Sequence, residues 1–186
     1  MLRKTMVVSM LAAAALALAP SARAGTDDEV VTITATVDSF AEWASSNDTS
    51  IAAADFTGSV DGTTVSAAGE DLTVSRALVL YANATVTITA AGTANSGIAT
   101  HGTTSDTLTT SYKLTGADIT TPDATWKAAG TGAGEFFEAA NTYEVTHTDG
   151  DGAYTVNLEV QLESDDAAAS DAGDYTCSVT LTATWT

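Results

Sequence analysis

Alternation of apolar and polar positions is the dominant pattern along this chain. In Val31-Thr32-Ile33-Thr34-Ala35-Thr36-Val37 every second residue is apolar and each intervening one is threonine. That predicts a strand with one dry and one wet face. Comparable runs rich in Val, Ile, Thr and Tyr fall at residues 71–74, 78–81, 85–90, 107–114, 142–148, 154–162 and 174–185. Residues that tolerate a positive φ punctuate them, at Asp61-Gly62, at Asn95-Ser96-Gly97 and at Asp149-Gly150-Asp151-Gly152. The last of these sits between two alternating runs and predicts a β-hairpin. Helical periodicity is weak, its best candidates being Ser39 to Ser45 and a turn near Gly134 to Ala140. The expectation is an all-β fold, an immunoglobulin-like β-sandwich. No internal repeat and no dividing linker interrupts it, and Ala128 to Gly134 reads as a loop within the domain.

The first 24 residues follow a different pattern. Arg3 and Lys4 precede an apolar run from Met6 to Ala19, and Ala22-Arg23-Ala24 closes the segment. This is the layout of a secretory signal peptide, with cleavage expected before Gly25. The run of about 14 residues is short of the roughly 20 that span a bilayer. The expected organisation is therefore a signal peptide at 1–24, an N-terminal strand at 25–38 and a sandwich domain at 39–186. The product is expected to be secreted, extracellular or on the cell surface, with no membrane insertion.

Charge narrows the function classes. The chain has 24 Asp and Glu against 6 Lys and Arg. Three of those cations and none of the acids lie in the first 24 residues, so residues 25–186 carry a net charge of -21. A field of this sign repels nucleic acid and other polyanions. A single cysteine rules out an internal disulfide, and with two histidines it rules out an all-Cys/His zinc site.

The segment Asp171-Ala172-Gly173-Asp174-Tyr175-Thr176-Cys177 reads like strand F of an immunoglobulin fold. Only nine residues follow Cys177, too few for a further loop and strand, so a sandwich ending here would have an open edge and groove. Gly173 is the fourteenth residue from the end, Trp185 is penultimate, and Tyr175, Cys177, Val179, Leu181, Ala183 and Trp185 alternate with polar residues. In these features the segment resembles the terminal strand of chaperone-usher pilus subunits, in particular Cys-poor archaic and spore-coat-like members. The resemblance implies a subunit of a surface filament built by donor-strand complementation. Val31, Ile33, Ala35 and Val37 would then be the donor strand. Gly173, Tyr175, Cys177, Val179, Leu181 and Trp185 would line the acceptor groove. The partners it implies are further copies of the chain, a periplasmic chaperone and an outer-membrane usher. Val31 to Val37 spans about 20 Å at roughly 3.3 Å per residue, enough to cross a sandwich.

The alternative is a monomeric extracellular binding module dependent on carbohydrate or calcium, in which the N-terminal strand closes its own sandwich. Trp43, Trp126 and Trp185 are its candidate sugar platform, with core packing the competing role for Trp43 and Trp185. Asp149 and Asp151, with Asp165, Asp166 and Asp171, are its calcium candidates, although the EF-hand spacing is missing. A hydrolase would draw on Glu135 and Glu138 around Phe136-Phe137, or on His101 or His147 with a serine. His147 reads instead as a solvent-facing strand residue. Gly130, Gly132 and Gly134 lack the lysine of a phosphate-binding loop. Cys177 reads as a buried small hydrophobe. The expectation is a non-enzymatic protein without a cofactor.

Overall fold

The computed structural model describes residues 32, 34–58, 65, 67–164 and 170–186. The chain falls into two units, Met1–Thr36 and Val37–Thr186. In the first, the described residues Thr32 and 34–36 are exposed and form no strand or helix. The N-terminal part of the alternating run, including Val31 and Ile33, lies outside the described residues.

The second unit is a β-sandwich. Its strands are β1 (Ala41–Trp43), β2 (Thr57–Gly58), β3 (Asp71–Ala82), β4 (Val86–Gly92), β5 (Thr100–His101), β6 (Thr109–Thr115), β7 (Lys127–Ala128), β8 (Tyr143–Val145), β9 (Ala153–Glu163), β10 (Tyr175–Thr176) and β11 (Val179–Trp185). One antiparallel sheet runs β1-β3-β9-β6-β7, with β2 also on β3. A second runs β11-β4-β8, and β10 pairs with β5.

Alternation builds the core directly. Val74, Val160 and Tyr112 are register partners across β3, β9 and β6, as are Leu72, Leu162 and Thr110. Their side chains face inward and are buried. From the other sheet Val86, Ile88, Tyr143 and Val145 meet them. Phe136 and Phe137 add an aromatic cluster, Phe136 stacking on Tyr112 with centroids 5.1 Å apart. Buried Thr110 belongs to the same face because its hydroxyl is satisfied, accepting from Ala99 N and donating to Leu108 O, both at 2.9 Å.

Several expectations are corrected here. The separate runs 71–74 and 78–81 are one strand, since Arg76 continues the inward register between Val74 and Leu78. Residues 174–185 form two strands. The break at Cys177-Ser178 follows the corner at Asn95–Gly97, where Asn95 Nδ2 donates to Thr176 O at 2.8 Å and Ala94 N to Ser178 Oγ at 2.9 Å. Ser39 to Ser45, the helical candidate, contains β1. Asp149 to Gly152 is a turn, closed by Asp151 N donating to Thr148 O at 3.0 Å. It does not join a hairpin, because β8 pairs with β4 while β9 pairs with β3 and β6. The turn chemistry is local, but strand partners are chosen by which face must be buried, and the chain here crosses from one sheet to the other.

Candidate functional site

β11 sits at the edge of its sheet, bonded to β4 on one side, and among the described residues no strand pairs with its other side. Its inward residues Val179, Leu181 and Ala183 are packed against the core yet only half-buried, as are Tyr175 and Cys177 upstream. The facing wall belongs to β3 and β9 and to the segment that joins β1 to β2. A cavity of about 420 Å³ lies between Trp43, Arg76, Leu78 and Leu158 on that wall and Val179 and Leu181 on the other. A second, of about 720 Å³, continues past Leu72, Leu108 and Leu162 to residues 170–176. Ile51 lines both. Together they form a groove alongside Gly173 to Leu181, about 26 Å of extended chain at ~3.3 Å per residue.

Arg76 organises the wall. It occupies an inward position of β3 among leucines and valines, where a cation needs partners. Nη1 lies 3.0 Å from Asp48 Oδ2, and Nη2 lies 2.7 Å from Asp55 Oδ2 and donates to Ser50 O at 2.8 Å. These bonds hold the strap between β1 and β2 over the part of β3 that neither strand covers. Asn47 fixes its start, its side-chain amide bonding Val79 N and O at 2.8 and 3.0 Å as a strand backbone would. Asp55 accepts from Ala52 N at 2.8 Å, and that bond is the main reason its carboxyl is held below its ordinary value of 3.8. Desolvation works against this lowering, and the nearby Arg76 charge adds to it.

At the far end, Gly173 lies against the ring of His101, and a β-carbon there would come 2.2 Å from Nε2. Tyr175 packs on the same ring with centroids 5.3 Å apart and donates to Asp171 O at 2.8 Å. Burial first, then the charges of Asp106 and Asp171, push its hydroxyl pKa up. Cys177 Sγ lies 3.4 Å from Tyr112 OH, itself donating to Gly97 O at 2.5 Å.

Of the positions expected for the acceptor groove, Gly173 and Tyr175 line the larger cavity and Val179 and Leu181 the smaller, while Cys177 and Trp185 line neither. Trp185, expected in the acceptor groove with core packing as the competing role, is 42% exposed at the end of β11, its indole N–H donating to Ser39 O at 3.1 Å. Of the donor-strand positions, Val31 and Ile33 lie outside the described residues, while Ala35 and Val37 are exposed and in no strand.

The other candidates serve local structure. Glu135 and Glu138 accept from Gly132 N at 2.5 Å and Gly134 N at 2.7 Å, so their carboxylates close the glycine loop. His147, expected to face solvent, is partly buried with Nδ1 2.8 Å from Tyr154 OH. Lys113 Nζ lies over the Trp126 ring at 4.4 Å. Asp149 and Asp151 are exposed, and Asp151 Oδ1 accepts from Ala153 N at 3.3 Å. Asp165 and Asp166 lie outside the described residues. Among the described residues no three His, Cys, Asp or Glu side chains converge as a metal site. No described helix is long and apolar enough to cross a membrane. Sequence reasoning missed Arg76. Its signal was a single arginine on the inward phase of Leu72, Val74, Leu78 and Leu80.

No family model, no curated protein and no solved structure matches this chain.

Proposed function

We propose that the protein is a structural subunit of an extracellular filament, assembled by inserting Val31 to Val37 of one copy into the groove beside β11 of the next. The observation that carries this reading is that, among the described residues, no strand pairs with the outer edge of β11, beside which lie two cavities, the smaller walled mostly by apolar residues. An exposed edge with half-buried side chains is a template for one more strand, and strand addition satisfies backbone and side chains together.

Strand order supports it. An immunoglobulin sandwich has strands A, B, E and D in one sheet and C, F and G in the other. With β1, β3, β9 and β6 as A, B, E and D, and β4 and β11 as C and F, the place of G is the open side of β11. The candidate strand carries Val31, Ile33, Ala35 and Val37 on one face, matching Leu78, Leu158, Val179 and Leu181 on the smaller cavity. A net charge of -21 for residues 25–186 opposes contact between whole faces, so assembly rests on the inserted apolar stripe. A leader of the secretory type, a periplasmic chaperone and an outer-membrane usher complete the assembly route that this reading calls for.

The test is direct. Protein beginning at Gly25 should form ladders that resist SDS without heating, and Ile33→Glu should abolish them while the sandwich stays folded. Wild-type protein that remains monomeric at high concentration would end the proposal. Calorimetric binding of calcium or a glycan by that monomer would establish the binding-module alternative in its place.

A further inference from the structure

The smaller cavity is walled mostly by apolar residues, with Ser45, Asn47 and Thr49 also on its lining, and it carries two donors without partners among the described residues. Trp43 Nε1 and Arg76 Nε are both buried, and neither has a hydrogen-bond partner among the described residues. Both side chains line this one cavity. A buried N–H without an acceptor is costly, so two of them on residues that line one cavity mark where an acceptor belongs.

The charge of Arg76 says what kind. Its two Nη atoms already face Asp48 and Asp55, so an anionic ligand would bring a third negative charge to one cation. A neutral acceptor fits. The backbone groups along the outer edge of β11 repeat at strand spacing, which suits a peptide main chain better than a sugar. A strand lying against β11 bonds it with one edge only. The carbonyls of its other edge need donors, and Trp43 and Arg76 stand across the cavity from Val179 and Leu181.

We infer that Trp43 Nε1 and Arg76 Nε donate to main-chain carbonyls of the strand added beside β11, that this strand is Val31 to Val37 of a second copy, and that the two donors fix its register. The inference rests on the strand-addition reading above. Direction of the chain argues for a second copy. Ser39 is held at the end of β11 by Trp185 Nε1, and Val37, two residues earlier, is 79% exposed. A strand folding back from that point would run parallel to β11. One from another molecule is free to run antiparallel, the more stable pairing.

The experiment uses protein from Gly25 carrying Ile33→Glu, which disarms its own strand, with indole nitrogens labelled with ¹⁵N. The probe is a synthetic peptide of the wild-type sequence Asp27 to Asp38. On binding, the Trp43 indole resonance should move downfield and exchange with solvent at least about tenfold more slowly, as a buried N–H gaining an acceptor does, while that of Trp126 stays in place. Trp43→Phe and Arg76→Lys should each weaken peptide binding about two- to tenfold. If the peptide binds but the Trp43 resonance does not move and Trp43→Phe binds as tightly, the inference is wrong and strand addition stands. A Trp43 indole already protected in the monomer before peptide is added would overturn the second-copy assignment. Absence of peptide binding together with absence of wild-type polymer would remove both readings.

Discussion

Trp185 Nε1 donates to the carbonyl of Ser39 across 3.1 Å, joining two residues 146 positions apart. The bond brings the end of β11 to the point where the chain enters β1. Phe40 N donates to Asn83 Oδ1 at 2.7 Å beside it, so the β3–β4 turn is tied to the same place. The groove therefore has a fixed end.

Leu181 is the groove-wall residue whose change should separate folding from assembly. It is half-buried, on an edge strand, and lines the smaller cavity. Leu181→Glu is expected to leave a folded monomer by circular dichroism and to abolish SDS-resistant ladders, because a carboxylate would be desolvated only when the strand is inserted.

The strap depends on Asp55 being ionised. Because its folded pKa lies below the ordinary 3.8, its contribution is fully present above about that pH and is lost as pH falls through the lower folded value. Trp43 fluorescence, read in a Trp126→Phe, Trp185→Phe background, should change in that acid window. Asp55→Asn should remove the transition, since it cannot titrate.

Lys127 and Asp123 form the most enclosed ion pair among the described residues, with Nζ 2.7 Å from Oδ1 and the Asp123 side chain 4% exposed. Asp123 Oδ2 also accepts from Leu114 N at 2.9 Å and Tyr143 OH at 2.7 Å. Lys127→Met leaves a buried carboxylate without its cation and should cost about 3 kcal/mol in urea denaturation. Tyr143→Phe removes one neutral donor and should cost about 1 kcal/mol.

Gly97 is required twice over. Its φ is +74°, and a β-carbon would meet the Phe137 ring at 2.4 Å. Gly97→Ala should cost about 3 kcal/mol or more, combining a left-handed backbone with overpacking against an aromatic core. Thermal denaturation would read the loss, and Gly102→Ala, at a position with nothing within 4 Å of the added carbon, should be near neutral.

Period-two alternation made most strands legible, because a half-buried strand writes its two faces into the sequence. It did so for β4, β6, β9 and β11, and for the inward faces that became the core. The same signal failed between Val74 and Leu78, where Arg76 interrupts the apolar phase and one strand reads as two runs. It failed differently at Asp149 to Gly152, whose glycines specify a turn but not which strands pair beyond it. β1 escaped because three residues are too few to display a period.

The sequence by itself determined the all-β class, the strands' dry faces and the line of small and apolar residues from Gly173 to Leu181, since these follow from side-chain size, polarity and spacing. Only the tertiary structure decided that β8 and β9 part into different sheets, that among the described residues no strand pairs with the outer edge of β11, and that Trp43 and Arg76, each carrying a buried donor without a partner among those residues, line one cavity. Those facts depend on which surfaces exclude water from one another across the whole chain, and no local pattern encodes that choice.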